Sequence, residues 1–104
     1  MNNQYLQIQS LLEQRAEVNA RLNLIPYDGS LEIKDRDGKK YIYIRKRVLG
    51  RNTSTYVNLY SDELFASISR LLKDAKEYKK QIRKINNELA KLGYTEQKLS
   101  SRVL

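Results

Sequence analysis

Lys34, Arg36, Lys39, Lys40, Tyr41, Tyr43, Arg45, Arg47, Arg51, Tyr56, Asn58 and Tyr60 are the side chains whose types and spacing best fit a chemical task. That task is recognition of a polyanion. Lys and Arg contact phosphates, Arg adds bidentate bonds to guanine edges, and Tyr and Asn add hydrogen bonds and stacking. Between Lys39 and Arg51 there are six basic residues and no acidic one, and Tyr41, Tyr43, Tyr56 and Tyr60 are four of the eight tyrosines.

The charge of the chain points the same way. Twenty Lys and Arg against twelve Asp and Glu give +8, with a pI of about 9.8. Residues 30–60 carry eight basic and three acidic groups, whereas residues 1–29 carry two and three. Such a field predicts nucleic acid as the first partner and an acidic protein surface as the second. The plainer reading is a chain kept soluble by lysine.

Catalysis is not expected. With no His and no Cys there is neither an imidazole base nor a thiolate nucleophile, and no Gly-rich phosphate loop occurs. Asp28 followed by Glu32-Ile33-Lys34 has the residue types of a metal-dependent nuclease core, but the spacing is too short. Asp35 and Asp37 read as turn residues rather than cation ligands. No catalytic residue, metal site or cofactor is therefore predicted. The absence of cysteine fits a reducing compartment. Met1-Asn2-Asn3-Gln4-Tyr5 lacks a basic region leading into an apolar one, and no run approaches the roughly 18 apolar residues of a membrane span. A cytoplasmic protein is expected.

The elements that must position these residues are legible as periodicity. Ile8, Leu11, Leu12, Val18 and Leu22 predict a helix over 4–23, ending before Pro26. Pro26-Tyr27-Asp28-Gly29 is a turn. Residues 30–60 alternate with period two and predict a three-stranded antiparallel meander. Leu31, Ile33, Ile42, Ile44, Val48, Thr55, Val57 and Leu59 fall on one face. Lys34, Arg36, Tyr41, Tyr43, Arg45, Arg47, Tyr56, Asn58 and Tyr60 fall on the other. Asp37-Gly38 is a hairpin signal, and residues 49–53 form a second turn.

Residues 61–92 predict one long helix, capped by Ser61 or Asp62 and ended by Gly93, with 93–104 as a tail. Leu64, Leu71, Tyr78, Ile85 and Leu92 form one apolar column; Ile68, Ala75, Ile82 and Leu89 form the other. Phe65 and Leu72 widen the stripe where the sheet should pack. The fold class is α+β: residues 1–104 form a single domain in which an N-terminal helix, a β-meander and a long C-terminal helix make a helical hairpin or coiled coil. The first helix is too short to cover the whole seam, so a homodimer through the helices is expected. Lys73, Lys76, Lys80, Arg83, Lys84 and Lys91 lie off the seam, as a solvated face or an auxiliary phosphate track.

Residues 29–72 carry Gly29-Ser30-Leu31, turn glycines at Gly38 and Gly50, an aromatic and basic second strand, a third strand ending at Tyr60, and a capped helix. This layout resembles the three-stranded-sheet, AP2-like DNA-binding domains at the N-termini of phage and transposon integrases. The resemblance implies a sheet lying in the major groove, with Lys34, Arg36, Tyr41, Tyr43, Arg45, Arg47 and Tyr56 at the DNA. The N-terminal helix and the longer second helix depart from that pattern. The chain is also similar in size and style to small accessory proteins of phages and mobile elements. Some of these are anti-CRISPR-like inhibitors. The alternative expectation is therefore an inhibitor or adaptor that docks the same face on a host nucleic-acid-binding complex.

Overall fold

The computed structural model of the chain describes residues 3–96. The elements run α1 (Asn3–Asn23), β1 (Ser30–Arg36), β2 (Lys39–Val48), β3 (Arg51–Leu59) and α2 (Asp62–Lys91). The strands form one antiparallel sheet in the order β1-β2-β3. The α+β class and the element order agree with the sequence patterns. Of the predicted tail, residues 97–104 lie outside the described residues.

Local chemistry sets the boundaries. Ser61 caps α2: its hydroxyl accepts from the Leu64 backbone N–H at 3.1 Å, and Asp62 and Glu63 occupy the positive end of the helix dipole. At the other end Gly93 adopts φ 79°, and the N–H groups of Gly93 and Tyr94 return to the carbonyls of Ala90 and Leu89. That Schellman closure satisfies carbonyls the helix itself cannot. Both hairpins are two-residue turns with positive φ at each position, Asp37-Gly38 (51°, 79°) and Leu49-Gly50 (51°, 79°). The second hairpin is tighter than residues 49–53 predict, because β3 already begins at Arg51.

Gly29 is required where the chain enters β1. Its φ is 133°, and a Cβ there would stand 2.4 Å from the Arg45 carbonyl oxygen and 2.9 Å from Ile44 Cγ2. Gly29→Ala is expected to cost about 1–3 kcal/mol, or more if the strand ends separate. A lowered urea midpoint at unchanged m-value checks it.

The molecule is long, 67 × 32 × 20 Å, with a radius of gyration of 19.1 Å. A compact chain of this length would have about 13 Å. The shape follows from α2, whose 30 residues extend about 45 Å. Its first half lies under the sheet: Ile68 and Leu72 pack with Ile42 and Ile44, and Tyr27, Leu31, Val57, Tyr60, Leu64 and Phe65 close around them. Its second half carries α1, which runs antiparallel to it. Gln4 donates to the Leu92 carbonyl near one end, and Arg15 donates to Asn86 Oδ1 at 2.8 Å further along. Val18, Ile85 and Leu89 are the buried residues there.

The heptad of α2 is thus shared between two partners: the sheet packs where Phe65 and Leu72 widen the stripe, as the sequence predicts, but Leu64 and Ile68, assigned to the helix seam, also belong to the sheet side. Ile68, Ala75, Ile85 and Leu89 are buried, and Leu64, Leu71, Tyr78, Ile82 and Leu92 are half-buried. The turns that α1 does not reach are covered by the sheet, so the length argument for a homodimer loses its premise. No helix among the described residues is long and apolar enough to cross a membrane.

Candidate nucleic-acid interface

The face of the sheet turned away from α2 is where the basic and aromatic side chains collect. Cross-strand pairs share a face, and the register places Lys34 opposite Tyr41, Glu32 opposite Tyr43, Arg36 opposite Lys39, and Tyr43 opposite Tyr56. Tyr56 joins the other two tyrosines: its ring lies 5.6 Å edge-on from Tyr43 and 6.1 Å from Tyr41. The Lys34 ammonium sits 4.5 Å above the Tyr43 ring. Arg45 and Arg47 continue the same row toward the β2–β3 turn. The outcome is a three-tyrosine platform with Lys34, Arg36, Lys39, Arg45 and Arg47 around it.

Glu32 is a member of this face that selection by basic and aromatic type alone leaves out. It accepts from Ser54 Oγ at 2.9 Å and lies 3.9 Å from Lys34 Nζ and 4.0 Å from Arg45 Nη1. The signal that finds it is strand alternation, which puts Glu32 beside Lys34. This carboxylate lies within ion-pair reach of two cations of the face without cancelling the field of the rest.

Four of the predicted residues are elsewhere. The pairing of β2 with β3 slips between Ile42 and Tyr43: Tyr43 opposes Tyr56, but Ile42 opposes Asn58, leaving Val57 as the extra residue of a β-bulge. Beyond the bulge the facing of β3 inverts relative to simple alternation. Leu59, predicted to point inward, stands opposite Tyr41 and is exposed. Tyr60, predicted to be outward, packs on the core with its ring 5.7 Å from Phe65, and its hydroxyl donates to Asp62 at 2.8 Å. The Asp62 carboxylate raises the Tyr60 phenol above its ordinary pKa. Asn58 opposes Ile42 and its side-chain oxygen accepts from the Leu59 N–H at 2.7 Å, an arrangement that serves the bulge. Lys40 and Arg51 alternate onto the helix-side face, opposite Asp35 and Val48. Both are exposed there because the sheet extends past α2.

The auxiliary residues Lys73, Lys76, Lys80, Arg83 and Lys84 are exposed on α2. Lys73 and Lys76 flank Ser30 and Leu31 at the β1 edge, and Lys84 lies in the depression between α1 and α2 with Glu17 and Glu88. All five project from α2 and not from the strands that carry the tyrosine platform. Lys46 and Lys79 are used differently. Both ammonium groups sit 2.8 Å from the Asp28 carboxylate, joining β2, the α1–β1 connection and α2. Hydrogen bonds from Lys46 and then Lys79 hold the Asp28 carboxyl below its ordinary pKa. Asp28 is thus a charged tie between sheet and helix, and Glu32 lies on the tyrosine face, engaged with Ser54.

A family model described as "Domain of unknown function (DUF6788)" matches residues 5–66. The chain belongs to this family. The DUF6788 match takes in nearly all of α1, the whole sheet with its tyrosine platform, and the first turn of α2. No curated protein and no solved structure matches the chain.

Proposed function

We propose that this protein is a non-enzymatic nucleic-acid-binding protein, with DNA as the favoured ligand, that works through the outer face of its sheet. The observation that carries the proposal is the cluster in which the Tyr56 ring lies against both Tyr41 and Tyr43, with basic side chains around it. Arg36, Lys39 and Arg47 are exposed and have no ion-pair partner among the described residues, so their charge is available to phosphates. Aromatic rings contribute stacking or groove contacts that charge alone does not supply. The likeness of residues 29–72 to integrase-type sheet domains, and the small accessory style of the chain, support DNA and a mobile-element setting.

The test is a titration of fluorescent duplex DNA across a series of salt concentrations. Roughly four to five phosphate contacts give a log–log slope of about −4. Absence of binding at about 50 mM salt would refute the proposal. The same platform has the aromatic and Arg content of a protein hot spot. A stable complex with a host nucleic-acid-binding protein, together with no affinity for free duplex or single strands, would instead favour an inhibitor or adaptor.

A further inference from the structure

The strands of this sheet are unequal in reach. Pairing of β1 with β2 stops at Ser30 opposite Arg45, whereas β2 and β3 stay paired as far as Val48 opposite Arg51. The last stretch is therefore a two-stranded ribbon that overhangs the third strand. At its tip Leu49 holds φ 51° and is 98% exposed. Both facts run against leucine. A left-handed conformation is disfavoured for any residue with a branched apolar side chain, and this turn type selects Asn, Asp or Gly. The other hairpin obeys that preference with Asp37-Gly38. At the tip, leucine has no core to join, so neither packing nor turn chemistry accounts for it. Backbone strain of this kind concentrates at functional sites, which makes the exposed Leu49 a candidate for contact with a partner.

Its surroundings indicate the partner. Arg47 and Arg51 lie just behind Leu49 on the two strands, both exposed and without an ion-pair partner among the described residues. Nothing stands within 4 Å of the Gly50 position, so the tip is unobstructed. A two-stranded ribbon is narrow enough to enter a DNA groove. An apolar side chain presented there with flanking cations can enter a base step, unstack it and kink the duplex. We propose that the β2–β3 tip is a wedge: Leu49 inserts between adjacent base pairs while Arg47 and Arg51 hold the phosphates on either side.

The inference rests on the DNA-binding reading above, and the experiment separates the two. A duplex carrying 2-aminopurine at successive steps, labelled at its ends for energy transfer, is titrated with the wild type and with Leu49→Asn and Leu49→Ala. The wild type should raise 2-aminopurine fluorescence at one or two steps and shorten the end-to-end distance. Leu49→Asn should bind within about threefold of wild type, because the phosphate contacts remain, and should lose both signals. Its Tm should rise by about 4–8 °C, since asparagine suits the turn, which rules out unfolding as the cause. Equal fluorescence and bending by Leu49→Asn would overturn the wedge and leave the DNA-binding reading standing. A wild type that does not bind duplex overturns both. Leu49-dependent binding to phosphatidylserine vesicles with no change in the duplex signals would overturn the wedge in favour of a membrane contact.

Discussion

Alanine at both Arg45 and Arg47 should weaken duplex binding about 10- to 100-fold and reduce the salt slope by about 2. The two guanidinium groups continue the tyrosine row along β2, opposite Ser54 and Asn52, with no apolar residue beneath them on that face. Their removal therefore leaves the core intact. Arg45 lies 4.0 Å from Glu32, but Glu32 keeps Ser54 and Lys34 as partners when Arg45 is truncated. The matched control is Lys80→Ala with Lys84→Ala, which removes the same charge from α2, with Lys84 in the depression between the two helices. That pair should change affinity less than about threefold, since a distant exposed charge contributes only a screened field. Fluorescence anisotropy at two salt concentrations distinguishes the cases. Equal losses from both double variants would mean that diffuse charge, and not the sheet face, governs binding.

Replacing Ile42 with alanine should lower the unfolding free energy by about 2–5 kcal/mol. Ile42 is 0% exposed and stands at the centre of the cluster with Ile44, Ile68 and Leu72. An elongated body of this size has little other apolar surface to draw on, and small domains have about 5–15 kcal/mol in total. The neighbouring Ile33, on the same face but 42% exposed, should cost under about 1 kcal/mol when truncated. Urea midpoints of the two variants give the comparison directly. Because α2 holds the sheet through Ile42, the Ile42→Ala variant should also lose binding at temperatures where the wild type still binds.

Much of this architecture was legible as local pattern. Pro26, the turn glycines and the heptad spacing mark the element ends, and alternation from Leu31 to Val48 assigns β1 and β2 to their faces correctly. What escaped was non-local. The bulge at Val57 leaves no periodic trace, since Thr55, Val57 and Leu59 keep an unbroken apolar alternation. Only the pairing with β2, and the demand of Phe65 for a packed ring, turn Tyr60 inward. The heptad likewise says which side of α2 is covered, and the widening at Phe65 and Leu72 points to the sheet, but the columns themselves do not mark where the sheet gives way to α1. A sheet and a helix both satisfy an apolar stripe, and here each takes half. Leu49 reads as an ordinary turn flank until its φ is known.

The pairing of α1 with the far half of α2 also imposes an order on how this chain can fold. Contacts within the sheet, such as Ser54 to Glu32, span 22 residues. Those that seat α1 span far more: Arg15 reaches Asn86 across 71 and Glu96 across 81. At about 5–20 residues per second, a growing chain makes α1 roughly 4–14 s before its partner emerges. For that interval the apolar stripe of Leu11, Leu12 and Val18 has nothing to cover it, while the sheet can pair and collapse onto the first turns of α2. During synthesis the sheet can therefore assemble before α1, the first segment made, has its partner to pack on.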